Sequence, residues 1–506
     1  MIDESAAYRA SLKAIYSLIW IRDSGFSFAY QAAAGWPHKL SELSRLLLDN
    51  PLTVRDSSLP PGRIFGQLVN RDLGKLEEDG LYYVVWTLFT QWTQTGIEPV
   101  LTQSDHELLD EALAWLEAVT WDEARGLYGG HFADETPAHG HRDCGWDHAI
   151  GKPTGDDDRI HFEGHPVSRS YDVYFNIIQH STHIMLAALR DEPTHLAKVE
   201  RVWPELEKLL RIRHEGIPIS GELELAESGK HVVSPHWGPA GSCCVWGLTM
   251  PNFIPLDDWD DVLAATLDAI IAAPDMHFMN GICSAMAAVD PWVYPEEKLI
   301  GMHHHIAQQT MRPGKFLPMG GAMPEKFHAL EGDLYHDIRP QGFAMGAWLA
   351  AWSSLGLRRL PYGLALRPTA AFDRIEAYPW KSGLLVFHFG PTGRNVALEI
   401  DGRIIPGTLQ IPENNLPKSS QDIRLVAAET ACPIWLRSTV RLDEVIPGKR
   451  HGYWFTCYGI SQITFSEKPD SLTLRGSGGH PIDFRLTTCR GLATLHFTHF
   501  GPASLR

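Results

Sequence analysis

Charge is scarce in this chain. Of its 506 residues only 21% are charged, and Asp and Glu (61) outnumber Lys and Arg (44), a formal net charge of −17. No cluster of basic residues offsets that balance locally, so a phosphate backbone would be repelled and nucleic acid is not an expected partner. Cysteine is sparse: seven, widely spread, with no Cys-x-x-Cys pair, which argues against a disulfide framework. No apolar run approaches about eighteen residues, so no membrane-spanning helix is expected. The opening Met1 to Ser5 has no basic stretch leading into an apolar one, so it does not read as a secretory leader, and a cytoplasmic protein is the expectation. A Gly-x-Ser-x-Gly elbow, a P-loop and a dinucleotide fingerprint are also missing, and no cofactor is expected.

What the chain does have is apolar and aromatic material. Hydrophobic residues make up 44% of it, enough for buried cores, and its length favours two domains over one. Seventeen tryptophans are present, many beside Asp, Gly or Pro rather than within apolar runs. Flat rings stack on the apolar faces of sugars, and neighbouring carboxylates accept hydrogen bonds from hydroxyls. Core filling is the competing use of the same residues.

Along the chain, helical periodicity covers residues 3–19, a short piece from Phe26 to Ala34, His38 to about Asn50, Leu81 to Thr95 (stopped at Gly96), and Ser104 to Val119, with Ser104 and Glu107 at capping-box spacing. A polar, Gly/His/Asp-rich insertion over 121–168 follows; loops of that length inside a domain are usually functional or disordered, and its aromatic content favours the former. Helices resume over Ser170–Leu189, Leu196–Arg213, Leu256–Ala272, Asn280–Val289, Pro295–Thr310 and Gln341–Leu355. The helices total about eleven or twelve, with no strand-helix alternation before residue 360 and no solenoid repeat. Twelve helices in two concentric rings form an (α/α)6 barrel. After Pro361 the texture changes to short strands between turn residues, such as Gly383–Phe389 and Asn395–Ile400 with Asp401-Gly402 as a hairpin turn. The expected architecture is therefore mainly α: a barrel domain over 1–360 and a C-terminal β-sandwich over 361–506. The sandwich is read as a packing domain rather than a substrate-binding module.

Several constellations carry chemistry. Trp20-Ile21-Arg22-Asp23-Ser24-Gly25 offers a ring and an Arg/Asp pair to adjacent hydroxyls; an ion pair at a helix start is the alternative. Asp79, between Glu78 and Gly80, stands where a plain helix N-cap would. Gly145-Trp146-Asp147 places a carboxyl beside an indole, which lowers the local dielectric and favours the protonated acid. Asp143 and Glu163 are rivals for the same role. Glu325 follows a Gly/Pro/Met loop (Pro318 to Pro324), with Arg339 opening an apolar helix. Trp292 lies in Asp290-Pro291-Trp292-Val293-Tyr294-Pro295. His303-His304-His305 are consecutive on a helix, so they point to different faces and do not form a metal site; they read as surface or loop-lining residues.

In this order, the motifs resemble the inverting α/α-barrel glycosidases of the glucoamylase family and of the trehalase and processing α-glucosidase families. Trp20 to Gly25 is similar to the glucoamylase Trp-x-Arg-Asp-Ser-Gly segment, whose Arg and Asp bind the terminal sugar. Gly74 to Gly80 follows the order of a stretch that opens a barrel helix there. Gly145-Trp146-Asp147 resembles the Ser-Gly-Trp/Leu-Asp general acid of the trehalase type. Met323-Pro324-Glu325-Lys326-Phe327 resembles the element that carries the catalytic base, with Lys326 in place of Gln and Phe327 in place of Tyr. The resemblance implies an exo-acting glycoside hydrolase for an α-glucoside or related oligosaccharide, working by single displacement. Asp147 would be general acid and Glu325 general base, with substrate contacts from Trp20, Arg22, Asp23, Asp79, Trp146, Trp292 and Arg339 and no metal. Inversion requires the two carboxyls to stand roughly 6.5–9.5 Å apart, with room for water. The alternatives are a polysaccharide lyase or sugar epimerase on the same barrel, and a non-catalytic carbohydrate-binding protein.

Overall fold

A computed structural model describes residues 38–54, 59–65, 79–129, 146–147, 152–153, 160–162, 165–167, 170–211, 213–214, 217–218, 223–225, 229, 231–232, 253–272, 276–278, 286, 289–290, 292–311, 326–328, 356–381, 383–393, 395–415, 421–428, 432–446 and 452–506. Among them are seven α-helices, all N-terminal to residue 312, followed by a region of β-strands. The helices are α1 (His38–Leu48), α2 (Gly80–Thr90), α3 (Gln103–Thr120), α4 (Val173–Arg190), α5 (Leu196–Leu210), α6 (Trp259–Ala272) and α7 (Glu296–Met311). The expected helices at 3–19, 26–34 and 341–355 lie outside the described residues.

Two kinds of helix alternate. α2 reads GLYYVVWTLFT, with no charged residue, and is buried along its whole length. α4 is buried continuously from Val173 to Ala188. Helices buried on every side belong to an interior. By contrast α1 buries Leu40, Leu43 and Leu47, and α5 buries Val199, Val202, Leu206 and Leu209, one stripe at helical spacing with charged residues opposite. In chain order the pattern is outer, inner, outer, inner, outer. α2 continues as a π-helical turn, Gln91–Thr95, and stops at Gly96 in the left-handed region (φ 69°), as the sequence indicates. The start of α3 is a correction: Thr102, not Ser104, is the N-cap. Its side chain accepts from the Asp105 N–H while the Asp105 carboxylate accepts from the Thr102 N–H, and this reciprocal pair defines the first turn.

The β region contains β1 (Leu357–Leu360), β2 (Gly363–Leu366), β3 (Arg374–Trp380), β4 (Gly383–His388), β5 (Val396–Ile400), β6 (Arg403–Ile405), β7 (Gln421–Ala427), β8 (Trp435–Ser438), β9 (Arg441–Ile446), β10 (Gly452–Phe465), β11 (Leu474–Gly476), β12 (Phe484–Cys489) and β13 (Leu492–Leu505). One sheet has the order β3-β4-β7-β5-β6, and the other is β8-β10-β13-β11 with β9 alongside β10 and β12 alongside β13. Residues of both sheets, among them Phe387, Leu398 and Ile423 from the first and Trp435, Phe455 and Leu495 from the second, share one apolar core. The β5–β6 hairpin turns at Asp401 (φ 52°) and Gly402 (φ 73°), the positive-φ pair expected of Asp-Gly. The boundary drawn at 360/361 falls inside the β1–β2 hairpin.

The outer face of the second sheet carries the helices. Tyr458 on β10 meets Trp92 and Tyr362, which in turn meet Phe89 edge-on, all at the C-terminal end of α2. Next along β10, Gly459 has φ +115°, and a Cβ there would lie 2.5 Å from Leu196 Cδ2 at the end of the α4–α5 connection, so only glycine allows this approach. Polar groups complete the seam. The Arg437 guanidinium on β8 donates to Asp260 Oδ2 on α6 at 2.6 Å, both fully buried, and Asp290 lies 3.9 Å from Arg437 and 3.8 Å from Arg358. Burial pushes the Asp290 carboxyl up, but the guanidinium groups of Arg367, Arg437 and Arg358 outweigh it and hold the group below the ordinary carboxylate range. Around this centre Arg485 pairs with Asp257, Arg490 with Asp261, and Gln462 donates to the Ile254 carbonyl. Removing one member of a buried pair strands its partner. Arg437→Ala and Asp260→Ala are therefore each expected to cost about 3–5 kcal/mol in chemical denaturation, whereas Arg63→Ala, at the exposed pair with Glu111, should cost less than about 1 kcal/mol.

Candidate active site

The N-terminal ends of α2 and α4 meet at the end opposite the sheet. Asp79 occupies the N-cap position of α2, yet its side chain caps nothing and its backbone is already helical. Instead the Tyr174 hydroxyl, in the first turn of α4, lies 3.4 Å from Asp79 Oδ2, and the Tyr83 hydroxyl lies 2.8 Å from that of Tyr174. A carboxylate and two phenols thus form a buried line between the two helices, at the end of α2 where the helix dipole favours negative charge. Burial, with the neighbouring Asp79 charge, pushes the Tyr82 phenol far up, so Tyr82 stays protonated. A buried carboxylate fed by hydroxyl donors can accept a hydrogen bond from a ligand hydroxyl and hold it in one orientation.

Further along α4, polar side chains are buried and need partners. Asn176 bridges Tyr128, accepting from its N–H at 2.8 Å and donating to its carbonyl at 2.9 Å. The single hydroxyl proton of Tyr128 goes to Glu117 Oε1 (3.2 Å), which leaves His183 Nε2 (2.7 Å) as donor to the Tyr128 oxygen. His183 Nδ1 then accepts from His195 Nδ1 at 3.4 Å. These bonds tie α3, α4 and α5 together. His180 has neither ring nitrogen hydrogen-bonded, and burial drops its pKa to about 3.

The connection from α3 to α4 passes through a Trp146–Asp147 strand, in register with Lys152–Pro153 (Asp147 opposite Lys152), and ends in Ser170–Asp172, the strand that leads directly into α4. Glu325 lies outside the described residues; the next residue, Lys326, begins a strand in which Phe327 pairs with His277. Trp20, Arg22, Asp23, Arg339, Asp143 and Glu163 also lie outside the described residues. Trp292 sits half-buried against the β core, its backbone N–H donated to Asp290 Oδ1 at 3.0 Å, so it belongs to the seam cluster rather than to the Asp79 cluster. His303 is buried on α7 whereas His304 is exposed, so the reading of all three histidines as surface or loop-lining is corrected for His303. Tyr83 and Tyr174 were not singled out from sequence. The available signal was a phenol in a helical run without charge, where a buried hydroxyl must find a partner.

No protein-family model and no curated protein sequence matches the chain. Its fold is similar to those of solved (α/α)6-barrel sugar enzymes. A mannosylglycerate hydrolase from Thermus thermophilus shares 14% identity over 69% of this chain and 99% of that one, at a TM-score of 0.44. A cellobiose 2-epimerase from Spirochaeta thermophila shares 14% over 67% and 89%, at 0.41. A D-mannose isomerase shares 11% over 70% and 97%, also at 0.41.

Two outcomes follow from the geometry. An unfolded His180 titrates near 6.5 and the folded one near 3, so the unfolded chain binds the extra proton between those values. The stability that neutral His180 supplies is present above pH 6.5 and lost as pH falls towards 3; His180→Leu should flatten that part of a stability-against-pH curve measured by urea denaturation. Tyr174→Phe removes the middle hydroxyl of the Asp79 line and should cost about 1 kcal/mol by the same assay.

Proposed function

We propose that this chain is an exo-acting glycoside hydrolase built on an (α/α)6 barrel with a C-terminal β-sandwich, cleaving an α-glucoside or related oligosaccharide with inversion. The observation that carries the reading is the Asp79–Tyr174–Tyr83 line at the N-terminal ends of two wholly buried helices. It is a hydroxyl-binding array at one end of an inner helical layer whose other end is closed by the β region. The alternation of inner and outer helices supports two concentric rings. In this reading Asp147, on the segment that enters α4, protonates the leaving oxygen. Glu325 deprotonates a water on the opposite face of the sugar. Asp79 holds a hydroxyl of the sugar, as Trp20, Arg22 and Asp23 do for the terminal residue.

A panel of α-linked disaccharides and glycosides, followed by NMR of the first-formed anomer, tests substrate and stereochemistry together. An α-glucoside should release the β-anomer first. Release of the α-anomer, or epimerisation without uptake of water, would overturn the assignment. Asp147→Asn and Glu325→Gln should each lower turnover by about a hundred- to ten-thousandfold while the melting curve stays unchanged; full activity in either variant removes that residue from its role.

A further inference from the structure

The sheet face that carries the helices is longer than the helices cover. On β10 the side chains of Trp454, Thr456, Tyr458, Ile460 and Gln462 all point to this face, because alternate residues of a strand share a side. From Tyr458 onward they pack against the helical region, and Thr456 is closed in by Asp443. One step earlier the cover ends. Trp454 is 42% exposed, and it is the one tryptophan among the described residues in the exposed class; Trp86, Trp115, Trp259, Trp380 and Trp435 are all buried.

What surrounds this indole is set by strand register. Glu444 on β9 is directly opposite Trp454, Ser504 on β13 is opposite it on the other side, and Arg475 on β11 is opposite Ser504. The four side chains form one straight row across β9, β10, β13 and β11, spanning about 14 Å at the usual strand spacing. Among the described residues the side chains of Glu444 and Ser504 take part in no hydrogen bond or ion pair, and the Arg475 side chain is steadied by one bond, from Nη1 to the Gly479 carbonyl at 2.7 Å. Beneath the row, Tyr453, Phe455, Ala503 and Leu505 are buried in the sandwich core, so the platform is rigid.

We propose that this row is a saccharide-binding platform, separate from the candidate active site and not dependent on the catalytic reading above. An uncharged polyhydroxyl chain matches it term by term. The indole face takes the apolar face of one sugar ring. The Glu444 carboxylate accepts from hydroxyls at one end, and the planar Arg475 fork donates to hydroxyls at the other. A simple anion is disfavoured by Glu444. A protein partner would need a broad apolar centre, and here, among the described residues, the exposed apolar side chains beside Trp454 are Ile446 and Pro502 at its sides.

The test uses the full chain and calorimetry with linear hexasaccharides of α-linked glucose, β-linked glucose and α-linked mannose, alongside Trp454→Ala and Arg475→Ala. At least one hexasaccharide should bind the native chain. Trp454→Ala should weaken that binding about tenfold or more, and Arg475→Ala should weaken it by a smaller factor, with melting temperature unchanged in both. Binding of none of the three, or equal binding by Trp454→Ala, overturns the proposal. So does self-association of the native chain in sedimentation that Trp454→Ala abolishes, because the face would then be a contact between copies.

Discussion

The pairing of Arg437 with Asp260, buried where the helices meet the sheet, is the contact on which the arrangement of this molecule depends. Removing two ions from water is costly, and the cost is recovered only when each finds its partner in good geometry. Here three guanidinium groups and two carboxylates share a closed space, and the acidic start of α6 faces Arg485 and Arg490 around it. A sheet that docked one register away would bury unpaired charge. The apolar contacts of Tyr458, Trp92 and Tyr362 contribute area without direction; the ions supply the direction.

Once that seam is set, the two inner helices are oriented. Their C-terminal ends abut β10, through Trp92 for α2 and through Leu196, just beyond α4, at Gly459. Their N-terminal ends therefore lie together at the far side, bringing Asp79, Tyr83 and Tyr174 to one place. The polar groups deeper in α4 serve a different purpose. Asn176 and His183 satisfy Tyr128 and its neighbours and so bind the outer helices to the inner one.

The same sheet shows how one surface serves two ends. Its inner face fills the sandwich, its outer face from Tyr458 onward receives the helices, and at the other end of the strand the Trp454 indole is left in solvent. The division along β10 follows from length: a strand from Gly452 to Phe465 extends past the helical cover.

Local features were legible in the amino-acid sequence because short-range rules determine them. The end of α2 at Gly96 and the Asp401-Gly402 turn depend on φ preferences and periodicity within a few residues. The start of α3 was misread because two hydroxyl residues, Thr102 and Ser104, both precede acidic residues at capping distance; only the folded backbone selects the one whose side chain meets the free N–H. Of the candidate site, Asp79 was legible as a carboxylate at a helix start, but not its line to Tyr174, 95 positions away. Arg437 and Asp260 are 177 positions apart. Composition and periodicity determined most of the helices among the described residues, although Ser170–Asp172, read as the start of α4, is a strand. Which buried polar groups share a space is decided by how the chain closes on itself, because hydrogen bonds and ion pairs between distant segments leave no period in the sequence.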